Sequence, residues 1–305
     1  MMILIITSSY DHTCDFLINK YPDASFFRLN TDYFYEYKIS YGRDGFKIVN
    51  NNGESIASTD CSSIYYRKPA NQDLENVIEP KYRNFIHKEC ISLIEGIADS
   101  FDGLCLSSPS KMRKADNKII QASIAKKVGF KIPTFLIGNH SELIIKKDEC
   151  DEKYIVKPLA SGVVSDGLTK EFVQTNLYCS DMTEEMLKYS PVYFQVYQEK
   201  DYETRVTIVD GSFFCIRIDS DNKIDWRKQN NRTSYSVNII PENVRINCLK
   251  YMECFDMKFG CFDFIIKNNV WYFLEMNANG QWLWLELVTG VEISAAIMKV
   301  LGYEV

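Results

Sequence analysis

The stretch 261–286, CFDFIIKNNVWYFLEMNANGQWLWLE, carries the densest chemistry in the sequence. Two apolar runs each hold an acid where a core residue is expected. Asp263 lies between Phe262 and Phe264, and Glu275 follows Trp271-Tyr272-Phe273-Leu274. Asn277 stands two residues beyond Glu275, so both side chains share a face if the strand continues. A carboxylate in an apolar setting is costly without a partner. Two carboxylates and an amide on one face make an oxygen-rich site suited to Mg2+, which binds carboxylates and nucleotide phosphates together. The same residues read equally well as two edge-strand acids paired to Lys or Arg. Asn268-Asn269 between the runs predicts a hairpin. Asp263 then faces Glu275 or Asn277 only if the loop has an odd length, about three or five residues.

Basic residues supply the next clues. Lys157 ends the run Tyr154-Ile155-Val156 just before a Gly/Ser-bearing loop at 160–167, and Lys118 falls in a helix predicted over 110–128. Two ammonium groups suit nucleotide phosphates as point charges, and such a loop can close over phosphates with its backbone N–H groups. A plain surface turn is the alternative, because the loop is not a Walker motif. Glu203-Thr204-Arg205, Arg217 and Asp225-Trp226-Arg227 follow. Arginine planes fit carboxylates and phosphoryl oxygens, and a transferring phosphoryl group needs such clamps. A structural ion pair between Glu203 and Arg205 is the bland counterpart.

The elements that must position these groups can be read from periodicity. A buried strand at 2–6, a helix at 11–20, a strand at 25–29, a hairpin of 36–41 with 46–49 and a strand at 64–67 come first. Tyr82, Phe85, Ile86, Cys90, Leu93, Ile94 and Ile97 recur at helical spacing, and 104–106 is a short strand. Residues 1–110 thus read as a small self-contained α/β domain. A second unit at 111–192 holds the 110–128 helix stopped by Gly129, strands at 135–137 and 154–157, and a short helix at 182–189 capped by Thr183. A third at 193–305 is strand-rich (203–209, 212–218, 234–239, 261–266, 270–275), with helices at 242–255 and 290–301. The class is α/β, grading to α+β.

The chain has 305 residues, 46% of them hydrophobic and 25% charged, with a net charge of −6. This is a globular profile that excludes wholesale disorder, and nothing electrostatic invites nucleic acid. Three widely spaced His (His12, His87, His140) leave little material for a His-based metal centre or triad. The ten Cys mostly interrupt apolar patterns and form no CxxC pair, so they read as reduced buried thiols. The opening apolar run is too short for a signal peptide or a membrane span. A cytoplasmic location and no membrane partner are the expectations.

The ordered set of Lys118, Ile-Val-Lys157, a flexible loop, Phe-Gln195-Val-Tyr197, Glu203-Thr-Arg205, Asp263 and Glu275-Met-Asn277 resembles the ATP-grasp superfamily over about 110–290. The resemblance implies an ATP-grasp fold with an N-terminal α/β pre-ATP-grasp domain. It implies that Lys118 and Lys157 bind ATP phosphates, that Gln195, Tyr197 and Glu203 serve the nucleotide, and that Asp263, Glu275 and Asn277 hold Mg2+. Val196 departs from the many relatives with an acid there, which leaves adenine selection to backbone groups and neighbours. Tyr65-Tyr66-Arg67-Lys68-Pro69, Ala115-Asp116-Asn117-Lys118 with Gln121, Lys200, Asp225-Trp226-Arg227 and Asn277-Ala-Asn-Gly-Gln281-Trp282-Leu283-Trp284 are more specific. They resemble the peptide-cyclising ligases of graspetide biosynthesis, with Lys68 where a second Arg is common.

Such enzymes phosphorylate an Asp or Glu side chain of a ribosomal precursor peptide, and a Ser, Thr or Lys side chain displaces the phosphate. The resemblance therefore implies an ATP-dependent carboxylate ligase with a leader-plus-core precursor as partner, a homodimeric state, and ester in preference to amide macrocycles. Arg205, Arg227 and Arg217 are the expected catalytic cations. Asp225 either assists proton removal or pairs structurally with Arg227. One of Trp282 and Trp284 is expected in the core and the other beside the peptide. The 182–189 helix, with Glu184 and Glu185, is a candidate for leader docking. Two alternatives remain: a ligase for free amino acids or other small molecules, and a non-catalytic binding module, against which the apparent retention of Lys157, Asp263, Glu275 and Asn277 argues.

Overall fold

A computed structural model describes residues 2–140, 153–160, 162–165, 170–173, 175–178, 183–224, 226 and 231–304. The chain opens with β1 (Met2–Thr7), α1 (His12–Lys20), β2 (Phe26–Asn30) and a 3-10 turn at Thr31–Glu36. The strands β3 (Tyr37–Gly42), β4 (Gly45–Asn50), β5 (Ser55–Ala57) and β6 (Cys61–Tyr66) follow, then α2 (Pro80–Asp99) and β7 (Leu104–Leu106). β2-β1-β6-β7 form a parallel sheet and β3-β4-β5 a small antiparallel one. β1 is continuously apolar because both its faces are covered: Leu4 and Ile6 enter one core, Ile3 and Ile5 the other. The predicted apolar stripe of α2 is buried only toward its C-terminal end, at Ile94, Ile97 and Ala98, whereas Tyr82 and Phe85 are exposed.

The single helix expected over 110–128 is two helices, α3 (Pro109–Asp116) and α4 (Lys118–Val128). Asn117 takes an extended backbone (φ −70°, ψ 114°), and its side chain accepts hydrogen bonds from the N–H groups of Ile119 and Ile120. An Asn offering its own cap competes with helix continuation, and Lys118 becomes the first residue of α4. Gly129 ends α4 at φ 95°, as expected of a left-handed C-cap.

The middle of the chain contributes β8 (Phe135–Gly138), β9 (Tyr154–Lys157), β10 (Val163–Ser165), β11 (Lys170–Phe172), β12 (Asn176–Leu177), α5 (Glu184–Tyr189) and β13 (Val192–Val196). β12-β9-β13-β8 form an antiparallel sheet with a small core of its own, centred on Leu187 and Phe194.

The final part holds β14 (Tyr202–Val209), β15 (Ser212–Ser220), β16 (Thr233–Val237), α6 (Glu242–Cys254), β17 (Phe259–Lys267), β18 (Val270–Asn277), α7 (Leu283–Thr289) and α8 (Ile293–Val300). An antiparallel sheet β16-β15-β14-β17-β18 is its frame. One face carries Val206, Ile208, Phe262, Phe264 and Phe273 against residues of α4 and α6, with the Phe130 ring stacked on Phe273 at 5.1 Å. The other face carries Glu203, Arg205, Asp263, Glu275 and Asn277; all but the buried Arg205 line a cleft beneath β9 and β13. Trp282, Leu285, Ile293 and Ile297 pack with Ile3, Ile5 and Leu17, so both large cores run across the expected boundary near residue 110. The last predicted helix begins at Ile293 rather than at 290, and 283–289, where no element is predicted, is helical.

Candidate active site

The β17–β18 hairpin decides where the acids point. Its turn is the two residues Asn268-Asn269, at φ 49° and 60°, in the left-handed conformation that tight hairpins favour. A two-residue loop is even, contrary to the odd length that the sequence argument required. Regular pairing would place Glu275 on the same face as Trp271 and Phe273, in the core. The register shifts instead: Phe264 pairs with Phe273 but Asp263 pairs with Glu275, which leaves Leu274 as a bulge residue. The bulge sends Met276 into the core, fully buried, and turns Glu275 and Asn277 to the side of Asp263.

On that face Asn277 Nδ2 donates to Asp263 Oδ2 at 3.1 Å and to Glu275 Oε1 at 3.3 Å. The amide bridges the two carboxylates. Lys118 Nζ donates to Glu275 Oε2 at 2.5 Å, and Arg205 Nη1 lies 3.4 Å from Asp263 Oδ1. Both readings of the sequence are therefore present together: the acids converge, and each has a cationic neighbour. The donor set, two carboxylates and an amide oxygen available by rotation of the Asn277 side chain, is hard and fits Mg2+. No group of three or more His, Cys, Asp or Glu side chains suited to a metal occurs among the described residues.

The backbone behind this face is held from outside. β18 is an edge strand, and its free polar groups are answered one by one. Phe273 N–H donates to Lys131 O (2.8 Å), and the Gln121 side chain bonds both Met276 N–H (3.0 Å) and Met276 O (2.8 Å). Asp116 accepts from Ala278 N–H at 3.2 Å. Burial, partly offset by that bond and by Lys118, moves the Asp116 carboxyl above its ordinary range. Further along, the fully buried Arg67 guanidinium donates to Asn279 Oδ1 (3.3 Å) and to the Gln281 side chain, and lies 3.1 Å from Asp11. A Cβ on Gly280 would lie 2.5 Å from the Cβ of Cys261 and 2.9 Å from Arg205 Nη2, so only glycine fits there.

The cleft above has a volume of about 470 Å³, within the roughly 300–1,000 Å³ of small-molecule sites. Lys118, Lys157, Gln195, Tyr197, Glu203, Asp263, Glu275 and Asn277 all line it, with Ile155, Ile265 and Leu274 as apolar walls. Lys157 Nζ sits 4.3 Å from the centre of the Tyr193 ring, a cation–π contact. Burial, with Glu275 adding, pushes the Tyr193 hydroxyl up to about 12. Glu203 is buried and pairs with Lys200 at 2.5 Å, so the pair found for Glu203 is not the one considered with Arg205. Tyr197 donates its hydroxyl to Lys223 O at 3.1 Å.

Arg217 is a correction. It pairs across β14 with Thr204, which places it on the opposite face from Glu203 and Arg205. There it lies over the Tyr202 ring at 4.0 Å and makes two 2.7 Å bonds to Asp219. Strand parity excludes it from the cleft. Asp225 and Arg227 lie outside the described residues, as does the Glu184 side chain. Glu185 bonds Lys188 at 2.7 Å. Trp282 is the core tryptophan, fully buried with Nε1 donating to Tyr65 Oη at 3.2 Å. Trp284 packs on Trp226 and Tyr235 at 5.3 and 5.1 Å, and Trp226 in turn lines the cleft. Sequence reasoning missed Ile155, Ile265, Leu274 and Lys223 as cleft residues. An apolar strand residue facing a cleft has the same pattern as one facing the core, and a lone lysine looks like any solvated one.

Comparison with known proteins extends this picture. The model of the MvdD pre-ATP-grasp domain matches residues 2–113. No curated protein matches. A Chryseobacterium gregarium RiPP-associated ATP-grasp ligase, solved with ADP and a leader and core peptide, is 27% identical with a TM-score of 0.85, over 99% of this chain and 96% of that one. The macrocyclase MdnC of Microcystis aeruginosa, solved with its precursor peptide MdnA, is 26% identical with a TM-score of 0.86, over 99% of both chains. The macrocyclase MdnB of the same organism is 25% identical with a TM-score of 0.80, again over 99% of both.

Proposed function

We propose that this chain, an ATP-grasp ligase of the graspetide type, activates Asp or Glu side chains of a ribosomal precursor peptide and closes them onto Thr or Ser hydroxyls as ester macrocycles. The observation that carries the reading is the cleft into which Lys118 from helix α4 and Lys157, Asp263, Glu275 and Asn277 from two sheets converge, in a chain that superposes end to end on peptide-bound ligases.

In this reading Ile155 and Ile265 flank the adenine, and Gln195 and Tyr197 meet its edge. Lys118 and Lys157 face the phosphates. Asp263, Glu275 and Asn277 would hold Mg2+, which would supply charge neutralisation for the transferring phosphoryl group. The substrate carboxylate oxygen attacks the γ-phosphorus and the bond to ADP breaks. The hydroxyl oxygen then attacks the acyl carbon, its proton is lost, and phosphate leaves, so each ring costs the peptide one water. Arg205, buried against Asp263, places positive charge where the acyl phosphate and its tetrahedral adduct would carry negative charge. No protein nucleophile is required. Among the described residues the free thiols of Cys14, Cys105 and Cys215 are each pushed up to about 12, burial leading in every case, which suits packing rather than nucleophilic chemistry. A cytoplasmic location and a homodimer belong to the same proposal.

Incubation with Mg-ATP and a Thr/Ser- and Glu/Asp-rich peptide encoded beside the gene tests it by mass spectrometry. ATP-dependent loss of one water per ring is expected, and rings opened by mild alkali identify esters. An unchanged peptide, with ADP release on free amino acids, would instead establish a small-molecule ligase.

A further inference from the structure

The parallel sheet β2-β1-β6-β7 reverses its strand order between β1 and β6. In open α/β sheets the crevice beyond the carboxyl ends of the strands at such a switch point receives ligands. Here the loop after β1 brings Asp11, and the loop after β6 brings Arg67 and Lys68. Arg67 is wholly committed, fully buried on Asp11 and the 279–281 segment. Arg205 arrives from β14 at the same point. Its Nη2 lies 2.9 Å from where a Gly280 Cβ would be, and Arg67 Nη1 reaches Gly280 O at 3.5 Å.

Lys68 stands beside these two guanidiniums and differs from both. It is exposed, and it has no ion-pair or hydrogen-bond partner among the described residues. Asp11 pairs with Arg67 and Asp263 with Arg205, which leaves Lys68 as the one of these three cations with no ion pair of its own among the described residues. Its backbone is at φ 46°, immediately before Pro69, a left-handed conformation that is unfavourable for a residue with a Cβ. The loop is pinned there by Thr31, whose hydroxyl both donates to Ala70 O and accepts from Ala70 N–H at 2.8 Å. Although the side chain reaches solvent, the protein atoms around it partly desolvate the ammonium, and this with the fields of Arg67 and Arg205, opposed by that of Asp11, lowers it below the ordinary lysine range. Strain of this kind persists where the surroundings over-determine it, and it clusters at ligand clamps.

We propose that Lys68 anchors a carboxylate subsite in the switch-point crevice, which receives the acidic side chain of the substrate before its activation. The proposal rests on the peptide-ligase reading above and deepens it. A compact ammonium binds a carboxylate as a point charge from any approach, which suits a site that must hold successive acids of one flexible peptide.

The test uses the full chain loaded with Mg-ADP. The acidic peptide encoded beside the gene and its form with the ring-forming acids changed to Gln are titrated against wild type, Lys68→Met, Lys68→Arg and Lys68→Gly. Wild type is expected to bind the acidic peptide at least about tenfold more tightly than the Gln form. Lys68→Met should lose that preference while keeping its ADP affinity, and Lys68→Arg should retain most of it. Lys68→Gly should lose the preference and yet melt at or above the wild-type temperature, since glycine relieves the backbone strain. A merely structural lysine would not separate those two readouts. Equal acid-over-Gln preference in wild type and Lys68→Met overturns the subsite alone. A wild-type protein that cyclises the peptide without discriminating the Gln form in binding also overturns it, with the ligase reading intact. A wild-type protein that binds Mg-ADP but never modifies the peptide overturns both.

Discussion

At the scale of single residues the cleft depends on charges that are each answered. Glu275 meets Lys118 and Asn277, so Glu275→Gln keeps the shape and removes the negative charge that a cation needs. Mg-ATP turnover should fall by at least about 100-fold with an unchanged circular dichroism spectrum; undiminished activity would remove Glu275 from the metal site. Asp11 is a residue of a different kind. Burial opposes its charge, but Arg67 and the bonds from Thr7, Cys14 and Thr13 hold the carboxyl below 3.8. A depressed carboxyl stabilises the fold above its unfolded value and loses that contribution as pH falls through the folded one. Asp11→Asn should therefore flatten the acid limb of stability below about pH 4. At neutral pH it should cost roughly 3–5 kcal/mol, because Arg67 is left buried and unpaired. Urea melts at pH 3 and pH 7 read both effects, and an acid limb like that of wild type would refute the pairing.

At the scale of elements the Leu274 bulge is the decisive feature. It converts an even hairpin, which would bury Glu275, into one that presents Glu275 and Asn277 beside Asp263. Inserting one Gly between Leu274 and Glu275 should set Glu275 opposite Phe262 and flip the last three residues of β18. Mg-ADP binding would be lost and Met276 would leave the core, whereas Leu274→Ala keeps the register and should bind Mg-ADP within a few fold of wild type. Calorimetric titration with Mg-ADP separates the two. Gly280 is the second such position. Gly280→Ala forces Cys261 and Arg205 apart, at a cost of about 1–3 kcal/mol, and Cys261→Ala in the same chain should recover part of the lost thermal stability.

At the scale of the whole molecule the packing is uneven. Two large cores join the first and last thirds of the chain, while among the described residues the β12-β9-β13-β8 sheet has only Leu187 and Phe194 as its buried centre. Elements with few buried apolar contacts open first. In hydrogen exchange the amides of β9 and β13 should exchange before those of β1, β14 and β17, and Mg-ADP should protect them, since Lys157, Gln195 and Asp263 line one cleft. Protection of β9 equal to that of β17 without ligand would contradict this reading.

Much of this protein is written locally. The apolar run of β1, the Asn268-Asn269 turn, the Gly129 cap and the acids set into aromatic strands follow from propensity and burial, which act over a few residues. The order of lysines, arginines and acids was enough to name the fold and the cleft-lining set of Lys118, Lys157, Gln195, Tyr197, Glu203, Asp263, Glu275 and Asn277. What lay beyond the sequence were matters of parity and of distant partners. One bulge residue sets which face Glu275 occupies, and strand pairing sends Arg217 away from the cleft. Asn117 divides one helical pattern into two helices, with Lys118 then meeting Glu275 157 positions away. Local pattern cannot carry these outcomes, because a strand's face is defined only against its neighbours and an ion pair only once the chain has brought its two ends together.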